Sequence, residues 1–125
     1  MRVTAARLVE HGRPLEVQGV DLAEPQPEES VVDMAFAGVN PVDRYMSLGS
    51  VAPDGPLPRT LGSEGAGTVR GQQVLVHGHG IAGTRDGLWA TKAVVPKEAL
   101  IEVPTGLTSR SPRSWASRVL PPGEW

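Results

Sequence analysis

The mostly apolar run from Val3 to Val9 (VTAARLV), interrupted by Thr4 and Arg7, predicts a first strand ended by His11-Gly12-Arg13-Pro14. Leu15, Val17, Val20 and Leu22 alternate less regularly, as a second strand with a bulge near Gly19 would. The proline-rich run Glu24 to Glu29 reads as an exposed turn. Ser30 to Gly38 (SVVDMAFAG) is apolar on both faces and predicts a core strand. Asn40-Pro41-Val42-Asp43 then opens a helix of about two turns, with Asn40 as cap, Pro41 in the first position, Asp43 near the positive end and Gly49 as the stop. Val51 to Pro58 holds three prolines and is a loop. After Gly71-Gln72-Gln73, read as a turn, Val74–His77, Leu88–Val95 and Leu100–Val103 predict three more strands. About seven strands with one clear helix favour a mainly β, barrel-like domain over alternating β/α units.

The stretch from Pro58 to Val69 (PRTLGSEGAGTV) changes the picture. Gly62, Gly65 and Gly67 surround one carboxylate, Glu64. Glycine at that density means backbone at positive φ or in close approach to a neighbour, and a carboxylate there is either solvated or held by a partner. Fifteen glycines and twelve prolines in 125 residues agree with short strands and frequent turns. A formal charge of −2 offers nothing to nucleic acid or a membrane surface, and no run approaches the length of a membrane span. With no cysteine, disulfides and thiolate zinc sites are excluded, and a cytoplasmic location is expected. The composition shifts near Thr108. Residues 109–125 carry three arginines, Trp115 and Trp125 without a helical or strand period, and are expected to form a peripheral tail or a docking peptide.

Several candidate chemistries fall away on context. Gly78-His79-Gly80-Ile81-Ala82-Gly83 spells the dinucleotide-binding pattern after a strand. A turn sequence, Thr84-Arg85-Asp86-Gly87, follows where a helix is needed, and no second parallel strand leads to Glu102, so a loop is expected. His77 and His79 would share a face only if their strand continued, and His11, Asp86 and Glu64 add no ligand spacing. No G-x-S-x-G elbow supports a serine nucleophile. Asn40 and Tyr45 remain, neutral donors at a strand-to-helix junction, together with Glu64 in a turn that could fold back to them. Such donors suit a carbonyl oxygen gaining negative charge. Equally, Asn40 reads as a simple cap, Tyr45 as packing and Glu64 as a partner of nearby backbone amides.

Gly38-Val39-Asn40-Pro41-Val42-Asp43-x-Tyr45, followed by Pro58-x-x-x-Gly62-x-Glu64-Gly65-Ala66-Gly67-x-Val69, resembles the medium-chain dehydrogenase/reductase superfamily, and most of all its zinc-independent NADPH:quinone oxidoreductases. The similarity runs from residue 1 to about 108. It implies a GroES-like β-barrel, the substrate-side catalytic half of such enzymes, over residues 1–108, with 109–125 as a divergent tail. It implies that Asn40 and Tyr45 are catalytic donors to a carbonyl oxygen, and that Asn40, Asp43, Tyr45 and Glu64 bind a small quinone or enone. NADPH is the cofactor the complete family enzyme would use. This chain is expected to bind no metal, because Ala35 to Gly38 and the rest of the chain lack the cysteine of the zinc-bearing relatives, and no cofactor alone, because the match stops before a Rossmann domain. Without that half no turnover is expected, and a second copy or a complementing nucleotide-binding chain is the expected partner. A stand-alone GroES-like ligand-binding or interaction module is the alternative.

Overall fold

The computed structural model describes residues 1–104. The expected boundary near Thr108 and the tail 109–125 lie outside the described residues. Among those described, eight strands and one α-helix follow in the order β1 (Arg2–Leu8), β2 (Glu16–Asp21), β3 (Glu29–Ala37), α1 (Pro41–Leu48), β4 (Arg59–Thr60), β5 (Glu64–Val69), β6 (Gln72–His77), β7 (Lys92–Pro96) and β8 (Leu100–Glu102), with a 3-10 turn at Lys97–Ala99. All ladders between these strands are antiparallel. They form a three-stranded sheet in the order β2-β1-β4 and a five-stranded sheet in the order β7-β3-β5-β6-β8. The mainly β architecture expected from the alternation is what the chain adopts.

The two sheets close on one apolar core. Leu8 of β1, Val32 of β3, Val74 and Val76 of β6, Val95 of β7 and Met46 of α1 meet there, with Leu61 and Leu88 from the connections. The segment Leu88–Thr91, expected to begin a strand, instead crosses between the sheets. The Thr91 amide donates to Thr4 O in one sheet, while Thr91 O accepts from the Met34 amide in the other. A residue bonded to both sheets cannot lie in the ladder of either, so β7 begins only at Lys92.

The expected bulge at Gly19 is absent. β1 and β2 pair in unbroken register from Arg2↔Asp21 to Arg7↔Glu16. Gly19 instead leaves room for Arg2, whose guanidinium would lie 3.0 Å from a Cβ there. The bulge sits in β3, where the register with β5 shifts between Met34 and Phe36. An extra residue reverses the side-chain alternation. Val32 and Met34 therefore face the main core, while Phe36 turns to the other face and packs on Ala66 and Leu75. That is why β3 reads as apolar on both sides.

Three smaller boundaries also differ from the pattern. The hairpin turn is Arg70-Gly71, both at positive φ, so Gln72 and Gln73 already belong to β6. Glu29 opens β3 rather than closing a turn. Arg59–Thr60 pairs with β1 although its sequence carries no strand period.

Candidate functional site

The β3 bulge aims the end of that strand at the start of α1, and the junction between them gathers the polar residues of interest. Asn40 is extended (φ −124°, ψ 159°) and precedes Pro41, the first helical residue. The Asp43 carboxylate reaches back, and its Oδ2 accepts the Asn40 amide N–H at 2.7 Å. Asn40 thus stands at the cap of a capping-box pair with Asp43. Its Nδ2 donates to Glu64 Oε1 at 3.0 Å. A carboxylate only accepts, so this contact fixes which end of the Asn40 carboxamide faces Glu64. Gly49, at φ +82°, ends the helix as expected by donating to Met46 O.

Glu64 is the first residue of β5 rather than part of a turn. The pair Ala37↔Gly65 sets its height against β3, and Glu64 O accepts the Gly38 amide at 2.9 Å. A Cβ on Gly38 would stand 3.1 Å from Glu64 Cγ and 3.2 Å from Asn40 Nδ2, so this glycine gives the side-chain pair its space.

Asp43 is 3 % exposed, and its Oδ1 has no hydrogen-bond partner. Burial pushes its carboxyl above the ordinary value, and the Glu64 charge acts in the same direction. The Asn40 amide and the amide and hydroxyl of Ser63 pull the other way, although Ser63 closes no bond to Oδ1. Two carboxyl groups thus share one asparagine as their common donor.

Beside this cluster lies a cleft of about 430 Å³. Leu15 and Leu61 give it apolar walls, Asn40, Asp43 and Ser47 a polar side, and Trp89 also lines it. The structure brings Asn40, Asp43 and Glu64 together. It does not bring Tyr45 to them. Tyr45 is 50 % exposed and does not line the cleft, whose helical wall is formed by Asp43, Arg44, Ser47 and Leu48. Five residues at about 100° each turn Tyr45 roughly 140° from Asn40 around the helix.

Trp89 is the site residue that the sequence pattern hid inside an expected strand. Its Nε1 donates to Gly38 O at 3.0 Å. Gly62, at φ +98°, lies beneath it, where a Cβ would fall 2.8 Å from the Trp89 Cγ. The available signal was scarcity, in a chain with one tyrosine, one phenylalanine and three tryptophans.

Comparison with known proteins identifies the domain. Residues 26–105 match the family model described as the alcohol dehydrogenase GroES-like domain. The chain belongs to that family. This GroES-like domain is 33 % identical over 106 residues to the mitochondrial enoyl-[acyl-carrier-protein] reductase of Xenopus tropicalis, covering 78 % of the chain and 30 % of that protein. It is 41 % identical over 69 residues to the class-3 alcohol dehydrogenase of Cereibacter sphaeroides, covering 55 % and 18 %. The quinone oxidoreductase of Thermus thermophilus, solved also with NADPH, superposes with a TM-score of 0.71 at 30 % identity, covering 84 % of this chain and 34 % of that one. The chain therefore spans only about a fifth to a third of these relatives. It has the fold of the GroES-like catalytic domain of medium-chain oxidoreductases, which includes both alcohol dehydrogenases and reductases.

The residues present fit neither a zinc ion nor a dinucleotide. Around the junction the donors are the oxygens of Asp43, Ser63 and Glu64 and one carboxamide, with neither thiolate nor imidazole. Among the described residues no cluster of three or more His, Cys, Asp or Glu could hold a metal ion. That donor set does not fit zinc, whose carboxylate ligands are found together with histidine or cysteine. The GHGIAG segment does not fit a dinucleotide either. His79 and Ala82 join Gly78 and Gly80 at positive φ, and the amides of Gly83, Thr84 and Arg85 all fold onto Gly80 O, so no helix follows. The strand carrying His77 ends there, His79 pairs with Glu98 at 3.7 Å, and Glu102 lies in antiparallel β8. No helix among the described residues is long and apolar enough to cross a membrane.

Proposed function

We propose that this GroES-like domain is the substrate-side half of a zinc-independent, nicotinamide-dependent reductase of quinones or activated enones. The observation that carries the reading is the hydrogen bond from Asn40, which lines the cleft, to Glu64. An Asn40 carboxamide has two N–H groups on Nδ2. Glu64 takes one, which holds the amide plane and leaves the second as a donor beside the cleft. A neutral, pre-oriented donor stabilises a carbonyl oxygen as it gains negative charge, and being fixed in advance it costs no reorganisation at that moment. Asp43 supports the same residue from the backbone side by binding the Asn40 amide.

Two of the relatives, an enoyl reductase and a quinone oxidoreductase, have names that agree with a carbonyl-conjugated substrate, while others are alcohol dehydrogenases. Hydride would come from a reduced nicotinamide bound outside the described residues, on a further part of the polypeptide or on a complementing chain. Orientation of donor and acceptor can be worth about 7–11 kcal/mol of barrier, so the domain alone is expected to bind substrate without turning it over.

Calorimetry on the purified chain tests this. Titration with 1,4-naphthoquinone should give binding, and titration with NADPH none. Asn40→Ala should weaken quinone binding roughly ten-fold, the worth of one good hydrogen bond. NADPH oxidation by the chain alone, or an Asn40→Ala variant with unchanged affinity, would show the reading to be wrong.

A further inference from the structure

Two arginines from separate segments of the chain line the Asn40 cleft. Arg44 lies on α1 with Ser47 and Leu48 three and four positions beyond it, so one side of the helix presents all three to the cleft. Arg44 is exposed, and among the described residues its guanidinium has neither a hydrogen bond nor an ion pair. Arg13 reaches the same cleft through the turn that follows β1. The Gly12 amide, at φ +82°, donates to Ser47 O at 2.9 Å, and the His11 ring packs on Gly49, where a Cβ would stand 3.0 Å from its Cγ. These contacts tie the turn to the end of α1. Glu10 takes Arg13 Nε at 3.0 Å but does not line the cleft, and both Nη groups of that guanidinium stay unbonded. Asp43 supplies the carboxyl of the lining, and it is withdrawn. It is 3 % exposed, and its Oδ2 is engaged by the Asn40 amide. The accessible charge in the cleft is therefore cationic.

We propose that Arg44 and Arg13 are specificity-determining residues of the Asn40 cleft, and that its substrate is a conjugated carbonyl compound carrying a carboxylate. The proposal rests on the function argued above and deepens it. Asn40 meets the reacting carbonyl oxygen, and the arginines hold the charged end of the same molecule. A cleft of about 430 Å³ has room for both groups of a small ligand. A guanidinium presents a planar fork that matches a carboxylate, and two cations lining one cleft favour the approach of an anion. Asp43 sets the limit on that charge. A carboxyl already buried beside Asn40 repels further negative charge, so a monoanion is favoured over a phosphate dianion. A neutral enone keeps the Asn40 hydrogen bond and makes no use of the arginines.

The test compares trans-3-benzoylacrylate, an enone with a carboxylate, with its methyl ester, which lacks the charge. Calorimetry on the full chain at low salt should show the acid binding about ten-fold more tightly than the ester. Arg44→Gln should weaken the acid about three- to five-fold, and Arg13→Gln with Arg44→Gln about ten-fold, which brings acid and ester level. Added salt should narrow the same gap in the parent. Both side chains are exposed, and thermal melts check that the variants fold. If one does not, the acid-to-ester ratio and its salt dependence decide. No binding of the acid, equal affinity for acid and ester, or an acid affinity that survives the double substitution overturns the arginine assignment. Binding of 1,4-naphthoquinone by the parent would then leave the proposed function standing. Displacement of the acid by inorganic phosphate at a concentration where acetate has no effect overturns the choice of a carboxylate. If neither the acid, the ester nor the quinone binds, both readings fall.

Discussion

Gly65→Ala isolates the feature on which the site's geometry depends, the close passage of β5 beneath the β3 bulge. Gly65 is not at positive φ, so the substitution carries no backbone strain and acts through space alone. A Cβ there would meet Phe36 O at 2.6 Å and the Met34 methyl at 2.8 Å. The methyl can swing away, but the carbonyl belongs to the strand. An ordinary carbon–oxygen contact is longer by most of an ångström, so β5 must move off β3. Overpacking of this kind costs about 1–3 kcal/mol, and loosening one ladder hydrogen bond adds about 1 kcal/mol. We expect about 3 kcal/mol in total, or a fall in Tm of roughly 12–24 °C for a domain this size. The same shift would draw Glu64 away from Asn40, so quinone affinity measured below the transition should also fall. Gly71→Ala is the control. It sits at φ +82° with nothing within 4 Å, so it carries strain without a clash and should cost about 1 kcal/mol. Thermal melts of both variants decide. If Gly65→Ala melts no lower than Gly71→Ala, the close passage is not what requires glycine there.

Four further outcomes follow from the same geometry. Glu64→Gln keeps an acceptor for Asn40 but removes the charge, so quinone affinity should drop about three- to ten-fold with little change in Tm, read by calorimetry and melting. Asp43 has a folded-state pKa above its ordinary value of 3.8, so the folded state holds its proton longer and a penalty develops as pH rises from about 4 through the folded pKa. Asp43→Asn should therefore gain stability relative to the parent with rising pH in urea titrations, and a pH-independent difference would contradict the assignment. Glu29 shifts the opposite way, held down by the Gln26 amide and then by Arg85, so its contribution is present above 4.5 and lost in acid; Glu29→Gln should flatten that limb of the pH–stability curve. Arg59 is fully buried and held by carbonyls, with Nε on Ala82 O at 2.7 Å and longer contacts to Pro56 O and Ala52 O. Arg59→Met should cost about 2–4 kcal/mol by stranding them, and hydrogen exchange should rise first in the 78–86 loop.

What the sequence made legible were features with local causes. The start of α1 could be read because capping chemistry lies within four consecutive residues, and the glycines around Glu64 because their density admits few explanations. The site residues Asn40 and Glu64 were both visible, although only the fold shows that they touch, since the bulge joining them is an extra residue in β3 with no mark in its composition. Arg59–Thr60 became a strand because β1 offered an edge, and Leu88–Thr91 left the ladder because two sheets competed for its backbone. Both are long-range causes that no window of a dozen residues contains. Tyr45 is a different case. Its departure from the cleft was calculable, since a helix that begins at Pro41 must carry a residue five positions beyond Asn40 to its far side. Motif spacing alone grouped Asn40 with Tyr45, while helical phase separates them. Phase instead keeps Asp43 and Ser47 in the cleft that Asn40 lines, and long-range packing adds Trp89 to the same lining. The residues that shape the cleft are thus the ones that phase and long-range packing select, and neither cause is visible in the spacing of a motif.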